Sequence, residues 1–213
     1  MTFRVEIAGG IATGKSTLCH ALAARGHTAI SEKLDENPFL GRAYPDKGSR
    51  GFDVGMSFLM SKASGIETSD SAAPVIFVDY AMVAEYAYND VHLKGVNAKA
   101  HSIVEQAIHF RREQIGDPDM LITLFCPVAH QIENIRKRGR DFEQGHSAAY
   151  LLSINNGIAE WSHAKIGPAC RKLHFNTQEI DVSSPAFIGT LMNAIRADMA
   201  AKKPPGGVPV PAP

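Results

Sequence analysis

Short β-rich runs alternate with longer helical periodicities along this chain. Apolar runs at residues 3–8 (FRVEIA), 74–79 (PVIFVD), 119–125 (DMLITLF) and 171–175 (RKLHF), with a shorter one near 28–30, have the length and side-chain content of buried strands. The segment STLCHALAARG predicts a helix from about residue 15 to Gly26, a glycine suited to a left-handed cap. Residues 97–114 predict a second helix, with Ile103, Ala107 and Phe110 on one face, Val104 and Ile108 beside them, and Arg111, Arg112 and Glu113 at its end. Such alternation predicts an α/β fold, a parallel sheet wrapped by helices. No internal repeat interrupts it.

Composition narrows the class. With 213 residues, 45% of them hydrophobic, the chain can bury one good core. We expect a single domain over residues 1–197 and a disordered Pro/Gly-rich tail over 198–213, where the run AAKKPPGGVPVPAP shows no periodicity. Lys and Arg total 22, against 22 Asp and Glu. That balance speaks against a broad electrostatic grip on nucleic acid, though not against a local basic groove. Cys19, Cys126 and Cys170 are odd in number and widely spaced in apolar or helical contexts, as buried free thiols in a reducing compartment would be. The start MTFRVEIAGG does not read as a signal peptide, and no apolar run approaches the roughly 18 residues needed to cross a bilayer. These features predict a cytoplasmic protein with no membrane partner.

The most specific chemistry lies in GGIATGKST, directly after the first strand and directly before the first helix. It fits G-x-x-x-x-G-K-[ST] with Gly9, Gly14, Lys15 and Ser16. Glycines at that spacing let consecutive backbone N–H groups turn around a phosphate, and the helix adds its free N–H groups and positive dipole end. Residues Gly9, Gly10, Ile11, Ala12, Thr13, Gly14, Lys15, Ser16 and Thr17 are therefore expected to bind a nucleoside triphosphate, with Lys15 at its outer phosphates and the Ser16 hydroxyl on Mg²⁺. Asp79, ending the most strand-like run, is the natural second magnesium-side group.

GGIATGKST, AISEKLDENPFLGRAYPD (29–46), GFDVGMSFLMSK (51–62), VIFVDY (75–80), PDMLITLF (118–125) and NIRKRGRDFEQG (134–145) together resemble the deoxynucleoside kinase family in order and spacing. The resemblance covers residues 3 to about 161, and its E-x-x-x-E-N-P-F-L and R-G-R-x-x-E elements are the specific ones. It implies a P-loop NTPase fold with a five-stranded parallel sheet flanked by helices, an arginine-bearing lid, and a homodimer joined through a helix bundle. It also implies transfer of the γ-phosphate of ATP to the 5′-hydroxyl of a deoxynucleoside, a small-molecule acceptor.

By the same resemblance, Glu32 falls where the family has its general base, and an ionised carboxylate there can take the hydroxyl proton. Tyr44 and Glu143 match the pair that binds the sugar 3′-hydroxyl, while Lys62 and Glu85 sit where the family has an arginine and an acid near the base. Lysine keeps the charge without the planar fork. Arg138 and Arg140 match the lid arginines, and Asn134 replaces a neighbouring one, with Arg136 and Lys137 close enough to substitute. Two positions depart from the pattern: Tyr80 replaces an arginine that helps hold the acceptor hydroxyl, and Gly55 replaces a glutamine that reads the base. Tyrosine carries no charge at neutral pH, so the charge at 80 is absent or comes from elsewhere, with Lys62 or a lid residue as the candidates. The aromatic cluster YAYNDVH (86–92) offers faces for stacking, although helical tyrosines commonly serve packing.

These residues point to an ATP- and Mg²⁺-dependent kinase of a nucleoside or nucleotide-like acceptor. Two other readings stay open: a kinase acting on a hydroxymethylated pyrimidine base in DNA, and an ATP-binding protein that lost catalysis with the arginine at 80.

Overall fold

The computed structural model describes residues 2–40, 51–69 and 72–202. Strands β1 (Phe3–Ala8), β2 (Thr28–Ile30), β3 (Val75–Val78), β4 (Met120–Phe125) and β5 (Arg171–Asn176) form one sheet in the order β2-β3-β1-β4-β5. All pairings are parallel, with Glu6 opposite both Val78 and Leu121. Helices α1 (Lys15–Ala23), α2 (Gly51–Glu67), α3 (Ala84–Asn89), α4 (Ala98–Ile115), α5 (Val128–Arg138), α6 (Ala148–Lys165) and α7 (Pro185–Lys202) connect and cover the strands. The five strands match the runs read from sequence, and α7 continues past residue 197 to Lys202.

The parallel crossovers bury both faces of the central strands, which is why β3 and β4 read as continuous apolar runs, while the edge strands β2 and β5 are only partly buried. Val5, Ile7, Phe77, Met120 and Ile122 pack with Leu18 and Leu22 of α1 and Ile188, Leu191 and Ile195 of α7. On the opposite face, Val78 and Leu121 meet Leu59 and Ala63 of α2, Tyr86 of α3, Ile108 of α4 and Ile154 of α6. A buried charge sits in the central strand: Glu6 of β1 is 1% exposed, accepts the Met82 N–H at 3.0 Å and pairs with Arg4 at 3.1 Å. It ties the segment leading into α3 to the central strand. Burial pushes its carboxyl up, against the pull of the Arg4 charge.

Helix α1 ends at Ala23, and Gly26 takes φ 82° just beyond, as its position suggests. Helix α4 begins after Asn97, whose side chain accepts the Ala100 N–H. Its buried face differs from the expected one. Ala100, Val104 and Ile108 face the core, while Ile103 and Phe110 are 44% and 58% exposed. Two apolar stripes ran along this helix and the core took one of them.

Helix α6 holds α3 at short range: a Cβ on Gly157 would lie 2.8 Å from the Ala87 Cβ. Gly157→Ala is therefore expected to force the helices apart and destabilise the fold by about 1–3 kcal/mol. An unchanged urea unfolding midpoint would show that the close approach carries no such constraint.

Candidate active site

In a parallel sheet the C-terminal strand ends share one edge, and ligands bind there. Here that edge carries the loop after β1, Ser31 and Glu32 after β2, and Asp79 after β3, whose N–H continues the ladder to the Ile30 carbonyl at 2.8 Å. In the first loop Gly9 has φ 154° and Gly14, the N-cap of α1, has φ 95°, so side chains there would be strained. Gly10 packs so closely that a Cβ would lie 2.0 Å from Asn155 Oδ1. The loop is braced from outside: Gln131 donates to the Ile11 carbonyl at 2.9 Å, Asn134 to the Ala12 carbonyl at 3.1 Å, and Asn155 to Gln131 at 2.8 Å. Within it, Lys15 Nζ donates to the carbonyls of Gly9 and Gly10 at 3.0 and 2.8 Å, and Thr13 Oγ1 to Gly10 at 3.0 Å.

Two cavities meet at this loop. The first, about 480 Å³, is lined by Ala12, Thr13, Gly14, Lys15, Ser16 and Thr17, by Asn134, Lys137 and Arg138 of α5, and by Thr177 and Ile180–Val182 after β5. The second, about 190 Å³, runs the other way between α2, α3, α4 and α6. Ala12, Lys15, Ser16 and Arg138 border both. Of the expected triphosphate residues, Gly9 and Gly10 form the loop's base, and Ile11 turns towards the second cavity. Lys137 reaches the first cavity, whereas Arg136 borders neither.

Lys62 organises the second cavity. Its Nζ lies 2.8 Å from Glu32 Oε1 and 2.5 Å from Glu85 Oε1, and 5.4 and 5.3 Å from the ring centroids of Phe58 and Tyr80. Burial alone would push the Glu32 carboxyl up, but the Lys62 and Lys15 charges outweigh it and hold the group below its ordinary value. Glu85 is more deeply buried and its carboxyl is pushed up, with Lys62 opposing. Lys62 itself stays protonated, since two carboxylates overcome its desolvation.

Tyr80, expected at the acceptor, does not line this cavity. It stands behind Lys62, 4% exposed, and donates its hydroxyl proton to the Lys62 carbonyl at 2.9 Å. Room for that hydroxyl comes from Gly65, where a Cβ would lie 2.8 Å from it. Gly55 does line the cavity, and a Cβ there would meet only Val104 Cγ1, at 3.8 Å, among the described residues. Tyr44 lies outside the described residues. In the aromatic cluster, Tyr86 is core, stacked on Trp161 with centroids 4.8 Å apart, while Tyr88 and His92 reach the cavity wall. His92 shares a hydrogen bond of 3.0 Å with Tyr150 Oη.

The segment 138–143 closes the cavity on the loop side. Glu143, 4% exposed, pairs with both Arg138 and Arg140, and all three border the second cavity. Asp79 is buried beside Ser16, which hydrogen-bonds its carboxylate, while Asp79 Oδ1 has no partner among the described residues. An orphaned carboxylate oxygen next to a hydroxyl and the triphosphate loop fits the donor set of Mg²⁺. Burial pushes the Asp79 carboxyl up, and a cation there would offset that. Gln131 and Asn155 were not singled out from sequence, where isolated amides on helices carry no local signal, and Asn89 and His92 entered only as members of the cluster 86–92.

The model of the family described as deoxynucleoside kinase matches residues 5–195. Among curated proteins, the chain is 27% identical over 158 residues to deoxyguanosine kinase of Bacillus subtilis (strain 168), covering 70% of this chain and 73% of that one. It is 26% identical over 164 residues to deoxyadenosine/deoxycytidine kinase of the same organism, covering 74% and 75%. Among solved structures, deoxyadenosine kinase from M. mycoides with bound dCTP superposes with TM-score 0.76 at 20% identity, over 92% of this chain and 100% of that one. The same enzyme with bound dATP gives 0.77 at 19% identity, over 91% and 100%. These structures share the fold. A triphosphate loop bordering a carboxylate-bearing cavity, together with the family match across residues 5–195, places this chain in the deoxynucleoside kinase family, as an ATP-dependent kinase that phosphorylates a hydroxyl group.

Proposed function

We propose that the protein transfers the γ-phosphate of ATP, bound with Mg²⁺, to the 5′-hydroxyl of a free deoxynucleoside, with Glu32 as general base. The observation that carries this is the Glu32 carboxylate, ion-paired with Lys62 at 2.8 Å in a cavity that shares Lys15, Ser16 and Arg138 with the triphosphate side. Glu32 takes the hydroxyl proton as the oxygen attacks the γ-phosphorus, and the bond from that phosphorus to the bridging oxygen breaks to leave ADP. Lys15, Arg138 and Arg140, which line the second cavity, would stabilise the charge on the transferring group, with Lys137 and Asn134 on the donor side. Ser16 and Asp79 would hold the magnesium, which would neutralise negative charge developing on the phosphates. Glu143 and Glu85 would meet the acceptor's sugar and base, and the space at Gly55 would receive part of the base. The relatives bear names of nucleoside kinases, which favours a free nucleoside over a base in DNA and favours a working enzyme over an inactive one.

The homodimer implied by the family finds support in α2 and α4. These helices pack together, yet Met60, Ile103 and Phe110 are 52%, 44% and 58% exposed. A second copy covering that face would bury them. The three buried free thiols suit a cytoplasmic setting.

Glu32→Gln is expected to lower kcat by about 10²- to 10⁴-fold while ATP still binds, measured by ADP release and nucleotide fluorescence. Unchanged turnover would remove Glu32 from the role of base. Arg138→Ala should cost roughly 10³-fold in kcat in the same assay, and a change in KM alone would show that it only binds. Light scattering should give twice the 23.0 kDa chain mass, falling to one copy for the Ile103→Glu, Phe110→Glu variant. A monomeric wild type would reject the dimer.

A further inference from the structure

Helix α3 carries Glu85 and Asn89 one turn apart, on the same face, and both line the acceptor cavity, each 5% exposed. Asn89 Nδ2 donates to the His101 carbonyl of α4 at 3.1 Å. That contact fixes which way round the amide sits, because an oxygen could not face a carbonyl there. The contact is itself held in place: His101 Nε2 lies 2.6 Å from Asp90 Oδ1, and Asp90 Oδ2 accepts the Trp161 indole N–H at 3.1 Å. Asp90 opens a π-helical turn, Asp90–Lys94, that follows α3 and carries His92 to the same cavity. The amide is thus anchored to α4, and through Asp90 to α6.

Asn89 Oδ1 is left buried with no hydrogen-bond partner among the described residues. Such an oxygen is costly to bury unless something donates to it, and a donor supplied by a ligand relieves that cost on binding. Across the cavity, Gly55 offers no side chain with which α2 could read a base. Recognition therefore falls to α3, whose two polar residues there offer oxygen acceptors. An exocyclic amino group carries two N–H bonds at one nitrogen and can answer both. A uracil or thymine edge sets its own carbonyl oxygens beside that amide and leaves Oδ1 unanswered, or answered only at N3.

We propose that Asn89 reads the acceptor's base, accepting a hydrogen bond at Oδ1 from an exocyclic amino group, and that with Glu85 it selects amino-bearing nucleosides over those presenting carbonyls at that position. This rests on the nucleoside-kinase reading above and assigns its specificity.

Matched pairs isolate the amino group: deoxyadenosine against purine deoxyriboside, and deoxycytidine against deoxyuridine. Steady-state rates of the full-length wild type should favour the amino-bearing member of each pair by about tenfold or more in kcat/KM, as expected for one hydrogen bond to a buried group. Asn89→Leu should bring the ratio close to one, mainly through KM for the nucleoside, with KM for ATP unchanged. A merely structural role would lower both members equally and leave the ratio as it was, which would overturn the proposal. So would a wild type with no preference within either pair, a result that stands even if the variant does not fold. Nucleoside-dependent thermal shifts without ATP repeat the comparison independently of turnover. If no nucleoside releases ADP but the shifts still discriminate through Asn89, the kinase reading fails and the assignment of Asn89 survives. Shifts without discrimination reject the assignment.

Discussion

One buried ammonium group, Lys62 Nζ, lies between two carboxylates and two aromatic rings, and the acceptor side of the site is built around it. A lysine buried alone would lose its proton, and a pair of buried carboxylates would tend to keep one. Together they settle into one arrangement that joins the loop after β2, the helix α2 and the start of α3. Breaking a buried ion pair by removing one partner commonly costs about 3–5 kcal/mol, so the arrangement fixes geometry as well as charge. Tyr80 completes it from behind. Its ring supports the ammonium and its hydroxyl binds the Lys62 backbone, so the positive charge here arises from α2 and not from the residue after Asp79.

The triphosphate side rests on a different constraint. Its loop is braced by amides of α5 and α6, with Gln131 and Asn155 bonded to each other and packed against Gly10. Lys15 meanwhile turns onto the carbonyls of Gly9 and Gly10. Burial lowers its proton affinity, while Glu32 and Asp79 act to raise it. Lys15, Ser16 and Arg138 border both cavities, so the two meet at the residues that begin α1 and end α5.

Strands β3 and β4 were legible because the centre of a parallel sheet, buried on both faces, needs continuous apolar runs, and the triphosphate loop because its glycine and lysine spacing has few other uses. The resemblance brought Glu32, Lys62, Glu85, Arg138, Arg140 and Glu143 to one cavity, where the structure also has them. Other features depended on tertiary context that no local pattern encodes. Glu6 reads as a polar position in a strand and proves to be a buried anchor for Met82. Ile103 and Phe110 read as a core face because periodicity cannot say which of two apolar stripes meets the sheet. Tyr80 looked like a lost acceptor contact, and only the packing against Gly65 shows it supporting Lys62. Asn89 has no motif at all. Its significance comes from a hydrogen bond to the carbonyl of His101, 12 residues on, and an oxygen with no partner among the described residues.

The central claim, that Lys62 keeps Glu32 ionised for proton transfer, is tested most directly by the pH dependence of kcat/KM in the wild type and in Lys62→Met. A depressed Glu32 pKa means the carboxylate persists as pH falls through the ordinary glutamate value of about 4.3, so wild-type kcat/KM should stay level down to roughly pH 5. Without Lys62, the largest charge opposing burial is gone, and the acid limb should move to higher pH than in the wild type. Acid limbs that coincide in the two proteins would contradict the account.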